Sequence, residues 1–150
     1  MSIKFYLISV LLLIHCNIYG MRCKQDTLQL CDSYCVVKVP FMSVRHFQSY
    51  EEGVFYSFLS LEDSVLVTVH CGSLVNIPFK DAKNSNVTIL RTDSTKEKSI
   101  SFGYEIVNGV EKYFWEIYIN KQKITLLYEN IEKQKLNNYC EMANSVFVFE

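Results

Sequence analysis

Apolar and polar positions alternate with a period of two along much of this chain. Val65, Val67 and Val69 interleave with Leu66, Thr68 and His70, the β-branched pattern of a strand with a buried face. Gly53 to Phe58 reads as an aromatic strand before it, and Leu74 to Phe79 and Val87 to Leu90 as strands after it. Polar turns separate them, at Glu62-Asp63-Ser64 and across Asp81 to Asn86. No window shows a convincing helical stripe; Leu127 to Leu136 comes nearest but is polar on all sides, so helix is expected as a minor component.

The sharpest local signal is Asn108-Gly109, the pair that best accommodates positive φ at both central positions of a type I′ hairpin turn. It predicts a register in which Val107 faces Val110, Ile106 Glu111, Glu105 Lys112, Tyr104 Tyr113, Gly103 Phe114, Phe102 Trp115 and Ile100 Ile117. Glu105 and Lys112 are then opposite charges, and Phe114 covers the bare Gly103. A second tight turn at Asn120-Lys121 would set Ile117 against Ile124, Trp115 against Leu126 and Tyr113 against Tyr128. With Val146 to Phe149 as a closing strand, eight or nine short strands are expected. The fold class is all-β, an antiparallel, jelly-roll-like β-sandwich with a barrel as the alternative.

The N-terminus sets the compartment. Lys4 precedes the charge-free apolar run Phe5 to Ile14, and Gly20 supplies a small residue where a signal peptidase would cut. The run is about ten residues, too short to span a bilayer as a helix. The expectation is a secreted chain with residues 1–20 removed and a single domain at 21–150. Of the chain's 15 Lys+Arg and 16 Asp+Glu, Lys4 leaves with the signal, so 14 remain against 16 and the formal charge is −2. The lysines at 121, 123, 133 and 135 are interleaved with Glu129 and Glu132, a solvated face rather than a nucleic-acid stripe.

Cys23, Cys31, Cys35, Cys71 and Cys140 remain after Cys16 is lost. Export favours two bridges among these five, tying the N-terminal trio to Cys71 and Cys140; fifteen two-bridge arrangements are open. A zinc site from Cys31, Cys35, His70 and Cys71 is a poorer reading, since adjacent ligands close a tetrahedron badly.

Recognisable catalytic chemistry is absent. The chain has no G-x-G-x-x-G, P-loop or G-x-S-x-G segment, and five glycines give little from which to build a cofactor cradle. His46 and His70 read as surface and strand-end residues. The doublets Glu51-Glu52 and Glu62-Asp63 cannot aim two carboxylates at one sugar, because adjacent strand residues point to opposite faces. No catalytic residue, metal or cofactor is expected. Two features are left. Asn86-Val87-Thr88 is an N-glycosylation sequon, and Tyr104, Tyr113, Trp115 and Tyr128 share one inferred face. Buried, that face is core; exposed, it would stack on a glycan or a protein partner.

Residues 52 to 149 resemble, in the order of their segments, the farnesoic acid O-methyltransferase-like domain of secreted invertebrate proteins. Val54-Phe55-Tyr56-Ser57-Phe58 stands where that family has a first aromatic strand, and Glu62 to Val67 resembles its second strand. Asn84 to Arg91 resembles its asparagine-containing segment and Tyr113 to Ile117 its F-W-I strand. The glycine pair preceding the asparagine is replaced here by Asp81-Ala82-Lys83. The resemblance implies a β-sandwich module, and the family's name implies methyl transfer to an isoprenoid acid. No S-adenosylmethionine site is recognisable at the matching positions. The expectation is therefore an extracellular binding module for a glycan or protein, with the methyltransferase, or a viral or parasite effector masking a host protein, as alternatives.

Overall fold

A computed structural model describes residues 21–51, 53–62, 64–72 and 86–149. The expected signal segment and the strand read at Leu74 to Phe79 lie outside these residues. Ten strands, one short α-helix and a single 3-10 turn (Lys133–Lys135) before it appear among the described residues: β1 (Cys23–Leu30), β2 (Ser33–Pro40), β3 (Val44–Tyr50), β4 (Gly53–Leu59), β5 (Val65–Gly72), β6 (Val87–Ser94), β7 (Lys98–Val107), β8 (Val110–Ile119), β9 (Ile124–Ile131), helix α1 (Leu136–Asn144) and β10 (Phe147–Phe149). Every pairing is antiparallel. Two sheets form, one of three strands in the order β1-β2-β10 and one of seven in the order β3-β4-β5-β9-β8-β7-β6. The expected all-β sandwich is present.

The hairpin read from Asn108-Gly109 has the expected register throughout, from Val107 opposite Val110 to Ile100 opposite Ile117. Both turn residues have positive φ, 51° at Asn108 and 77° at Gly109. The next connection differs from the reading. Ile119 pairs with Ile124, so the loop is four residues, and Trp115 faces Tyr128 while Ile117 faces Leu126. A two-residue turn at Asn120-Lys121 would need positive φ at both positions; the chain spends one such residue instead, at Lys123 (φ 51°). Asn120 anchors the loop by donating its N–H to Glu97 C=O (2.9 Å) and its side-chain amide to Lys96 C=O (2.8 Å). The register moves by two, so each side chain keeps its face. Further along, a bulge accommodates Asn130 at φ 58°, and its side-chain amide donates to Val65 C=O at 2.8 Å.

Period-two burial builds the core. Leu28 and Leu30 of β1 and Cys35, Val37 and Val39 of β2 point inward, against Phe58, Val67, Val69, Ile117, Leu126 and Tyr128 of the larger sheet. Each such side chain contributes about 1.5–3 kcal/mol by leaving water. The N-terminal strands therefore supply most of the second layer, whereas the reading names strands only from Gly53 onward. Helix α1 likewise has no counterpart in the sequence pattern. It buries Tyr139, Met142 and Ala143, an i, i+3, i+4 set on nine residues, too short for a periodic stripe to register over a longer window.

Among the described residues one disulfide, Cys31–Cys71, joins the β1–β2 turn to the end of β5. This corrects the expectation of two bridges: Cys23, Cys35 and Cys140 are free. Cys23 lies opposite Pro40, whereas Cys35 lies opposite Leu28 on the buried side of β2. That offset of five positions is about 16 Å along the strands, well beyond disulfide reach.

Candidate functional site

Seven strands cannot be covered by three. The inner face of the larger sheet is covered by β1 and β2 over β4 and β9, where Tyr56 donates its hydroxyl to Gln29 C=O (3.1 Å) and Tyr128 to Lys38 C=O (3.1 Å), and α1 packs against β2, β8 and β9. Toward β7 and β6 the side chains of Phe102, Tyr104 and Trp115 emerge only half-buried. There Phe102 stacks on Trp115 with centroids 4.2 Å apart, Tyr113 lies 6.0 Å from Phe102, and Tyr104 lies 5.7 Å from Tyr113. A cleft of about 500 Å³ opens over this end, floored by Ile100, Phe102 and Trp115 and flanked by Leu90. Its rim carries Arg91 and Asp93 on the β6 side and Cys140 and Asn144 on the α1 side.

The polar rim follows from a local irregularity. A bulge between Ile89 and Arg91 sets Arg91 opposite Phe102 and Asp93 opposite Ile100, turning both charges to the aromatic side. Arg91 Nη2 and Asp93 Oδ2 are 2.7 Å apart and both side chains are exposed. On α1, Asn144 donates to Cys140 Sγ at 3.5 Å, one turn apart. The cleft thus combines a flat apolar floor with a guanidinium, a carboxylate and an amide at its edge, groups suited to hydroxyl-rich ligands.

The four aromatics read as one face do share it, but they divide by depth. Tyr128 is fully buried and donates its hydroxyl to Lys38 C=O (3.1 Å) across the sandwich. Tyr113 is buried at 6 % exposure, with its hydroxyl on Glu111 Oε2 at 2.5 Å, a hydrogen bond that raises its pKa. Both belong to the core and leave the binding set. Trp115 and Tyr104 stay half-buried, and Trp115 alone of the four lines the cleft. Ile100 and Phe102 follow from the period-two pattern of the hairpin, whereas Arg91 and Asp93 reach this face only through the bulge. The bulge and the arrival of α1 had no local signal.

Cys31 and Cys71 are consumed by the disulfide, which excludes the four-ligand zinc reading; among the described residues no cluster of His, Cys, Asp or Glu could hold a metal ion. Cys35 is buried and its thiol is pushed up to about 12, chiefly by desolvation. His46 is exposed on β3. His70 lies 6.2 Å from the Phe55 ring, and burial lowers its pKa. Asn86 is exposed just before β6, its backbone C=O accepting from Ile106 N–H at 2.9 Å, and Thr88 of the sequon is exposed as well. No helix among the described residues is long and apolar enough to cross a membrane.

Fold and cleft together define a disulfide-linked antiparallel β-sandwich with an aromatic groove where its larger sheet overhangs the smaller. No protein family, curated protein or solved structure matches the chain.

Proposed function

We propose that this protein is a secreted binding module whose ligand is a carbohydrate seated in the β6–β7–β8 cleft. The observation that carries the reading is the Phe102–Trp115 floor beneath the Arg91, Asp93 and Asn144 rim. Sugar rings present C–H faces to aromatic planes and hydroxyls to charged and amide groups, and a cleft of about 500 Å³ is of small-ligand size. The Cys31–Cys71 bridge supports an oxidising compartment. A protein ligand is the second reading, favoured by exposed Met42, Val44, Phe47 and Tyr50 at and beside the opposite edge strand.

Trp115 is the only tryptophan, so its emission reports on the cleft directly. A glycan array on the purified protein should retain at least one sugar class, and titration of that sugar should shift Trp115 emission saturably. Arg91→Ala and Asn144→Ala should each weaken binding about tenfold, the loss expected for one charged or buried hydrogen bond. Retention of no glycan, or binding that leaves Trp115 emission and both variants unaffected, refutes the assignment.

A further inference from the structure

Strand β6 ends the seven-stranded sheet, and among the described residues nothing pairs with its outer side. Every residue from Thr88 to Ser94 is exposed. Such an edge is a template for another strand unless it is blocked. The bulge at Ile89–Arg91 spoils its first half but leaves Arg91, Thr92, Asp93 and Ser94 in regular pairing with β7.

Hydrogen bonds with β7 show which of these residues face outward. Thr95 donates its N–H to Lys98 C=O at 2.8 Å. In an antiparallel ladder the residues alternate, so Asp93 and Arg91 direct their N–H and C=O groups to β7, while Thr92 and Ser94 direct theirs to the open edge. A partner strand must offer outward groups opposite these.

We propose that β6 is a dimer interface: it pairs antiparallel with β6 of a second copy about a two-fold axis at Thr92. Two-fold pairings centred in the regular stretch from Arg91 to Ser94 that match outward groups and keep at least three β6 residues of each copy opposite one another place the axis on Arg91, Thr92 or Asp93. An axis on Arg91 sets two guanidinium groups opposite each other, and one on Asp93 sets two carboxylates opposite each other; both are repulsive. An axis on Thr92 opposes Arg91 with Asp93 of the second copy twice over, and lets the two Thr92 residues exchange both backbone hydrogen bonds. Charge complementarity therefore selects one register. The 2.7 Å contact between Arg91 and Asp93 within the strand shows that both side chains already lie on one face and within reach. The interface is isologous, joining two seven-stranded sheets into one and setting the two aromatic clefts side by side. It is small, so the dimer is reversible and weakened by salt.

Sedimentation equilibrium of the purified protein over a broad concentration range at low ionic strength tests this. Wild type should show a monomer–dimer equilibrium that shifts toward monomer in high salt. Arg91→Asp and Asp93→Arg should each weaken association by about tenfold or more, because each sets like charges opposite each other twice. The double variant R91D/D93R exchanges the charges and should restore association. A wild type monomeric throughout, single variants that dimerise as wild type does, or a double variant that fails to recover would each overturn the interface. The readout is independent of any glycan, so loss of the carbohydrate reading leaves it standing.

Discussion

Glu129 shows how position overrides chemistry. It follows Tyr128 on β9, half-buried, and desolvation together with nearby Glu105 pushes its carboxyl up to about 7 from 4.5. The folded state therefore holds a proton that the unfolded chain has released between about pH 4.5 and 7. Stability contributed by the protonated carboxyl is present below that window and is lost as pH rises through it. Discounted for partial solvent access, the loss is about 2 kcal/mol. Denaturant melts at a series of pH values should show the decline, and Glu129→Gln should flatten it; equal slopes in both proteins would remove Glu129 as the cause. Nothing in the sequence around Glu129 distinguishes it from the solvated Glu132, whose pKa Lys135 lowers through a 3.0 Å ion pair.

The β7–β8 hairpin is the element most fully legible beforehand, because two short-range constraints agree. Asn108-Gly109 sets the turn, and Gly103 admits the ring opposite it. A Cβ at position 103 would sit 2.2 Å from Thr88 C=O and 2.9 Å from the Phe114 ring. Backbone cannot yield as a side-chain tip does, so Gly103→Ala should cost about 3 kcal/mol. At Gly109 nothing lies within 4 Å of an added Cβ, and only the φ of 77° is strained. Gly109→Ala should cost about 1 kcal/mol. Chemical denaturation of the two variants checks the order, and equal losses would contradict the packing argument. The β8–β9 loop departs from the expected two-residue turn for a related reason: Asn120-Lys121 lacks the glycine, and the loop's length depends on contacts with Lys96 and Glu97 from another hairpin.

Across the molecule the Cys31–Cys71 bridge ties the small sheet to the large one over a separation of 40 residues. Closing a loop of that length in the unfolded chain is worth about 4 kcal/mol. Cys31→Ser should lower stability by about that amount, measured by denaturant midpoint against wild type under non-reducing conditions; an unchanged midpoint would mean that packing alone joins the sheets. Expressed in a eukaryotic secretory host, the chain should appear in the medium starting at Met21, with a mass increment at Asn86 that a glycosidase removes. A product retained in membranes with Met1 intact would refute the compartment and the glycan together.

By itself the sequence determined what local physics can decide: the period-two strands, the type I′ turn with its register, the pairing of Phe114 with Gly103, and the common face of Tyr104, Tyr113, Trp115 and Tyr128. Each rests on residues that are neighbours in sequence or across one hairpin. How many strands roof the larger sheet, and hence which of those aromatics are core and which are surface, follows from long-range packing alone. Tyr128 and Trp115 face each other across β8 and β9, yet one is sealed and the other opens on the cleft. The difference comes from where β1, β2, β10 and α1 stop, a boundary set by contacts between segments up to about a hundred residues apart, such as Tyr128 with Lys38.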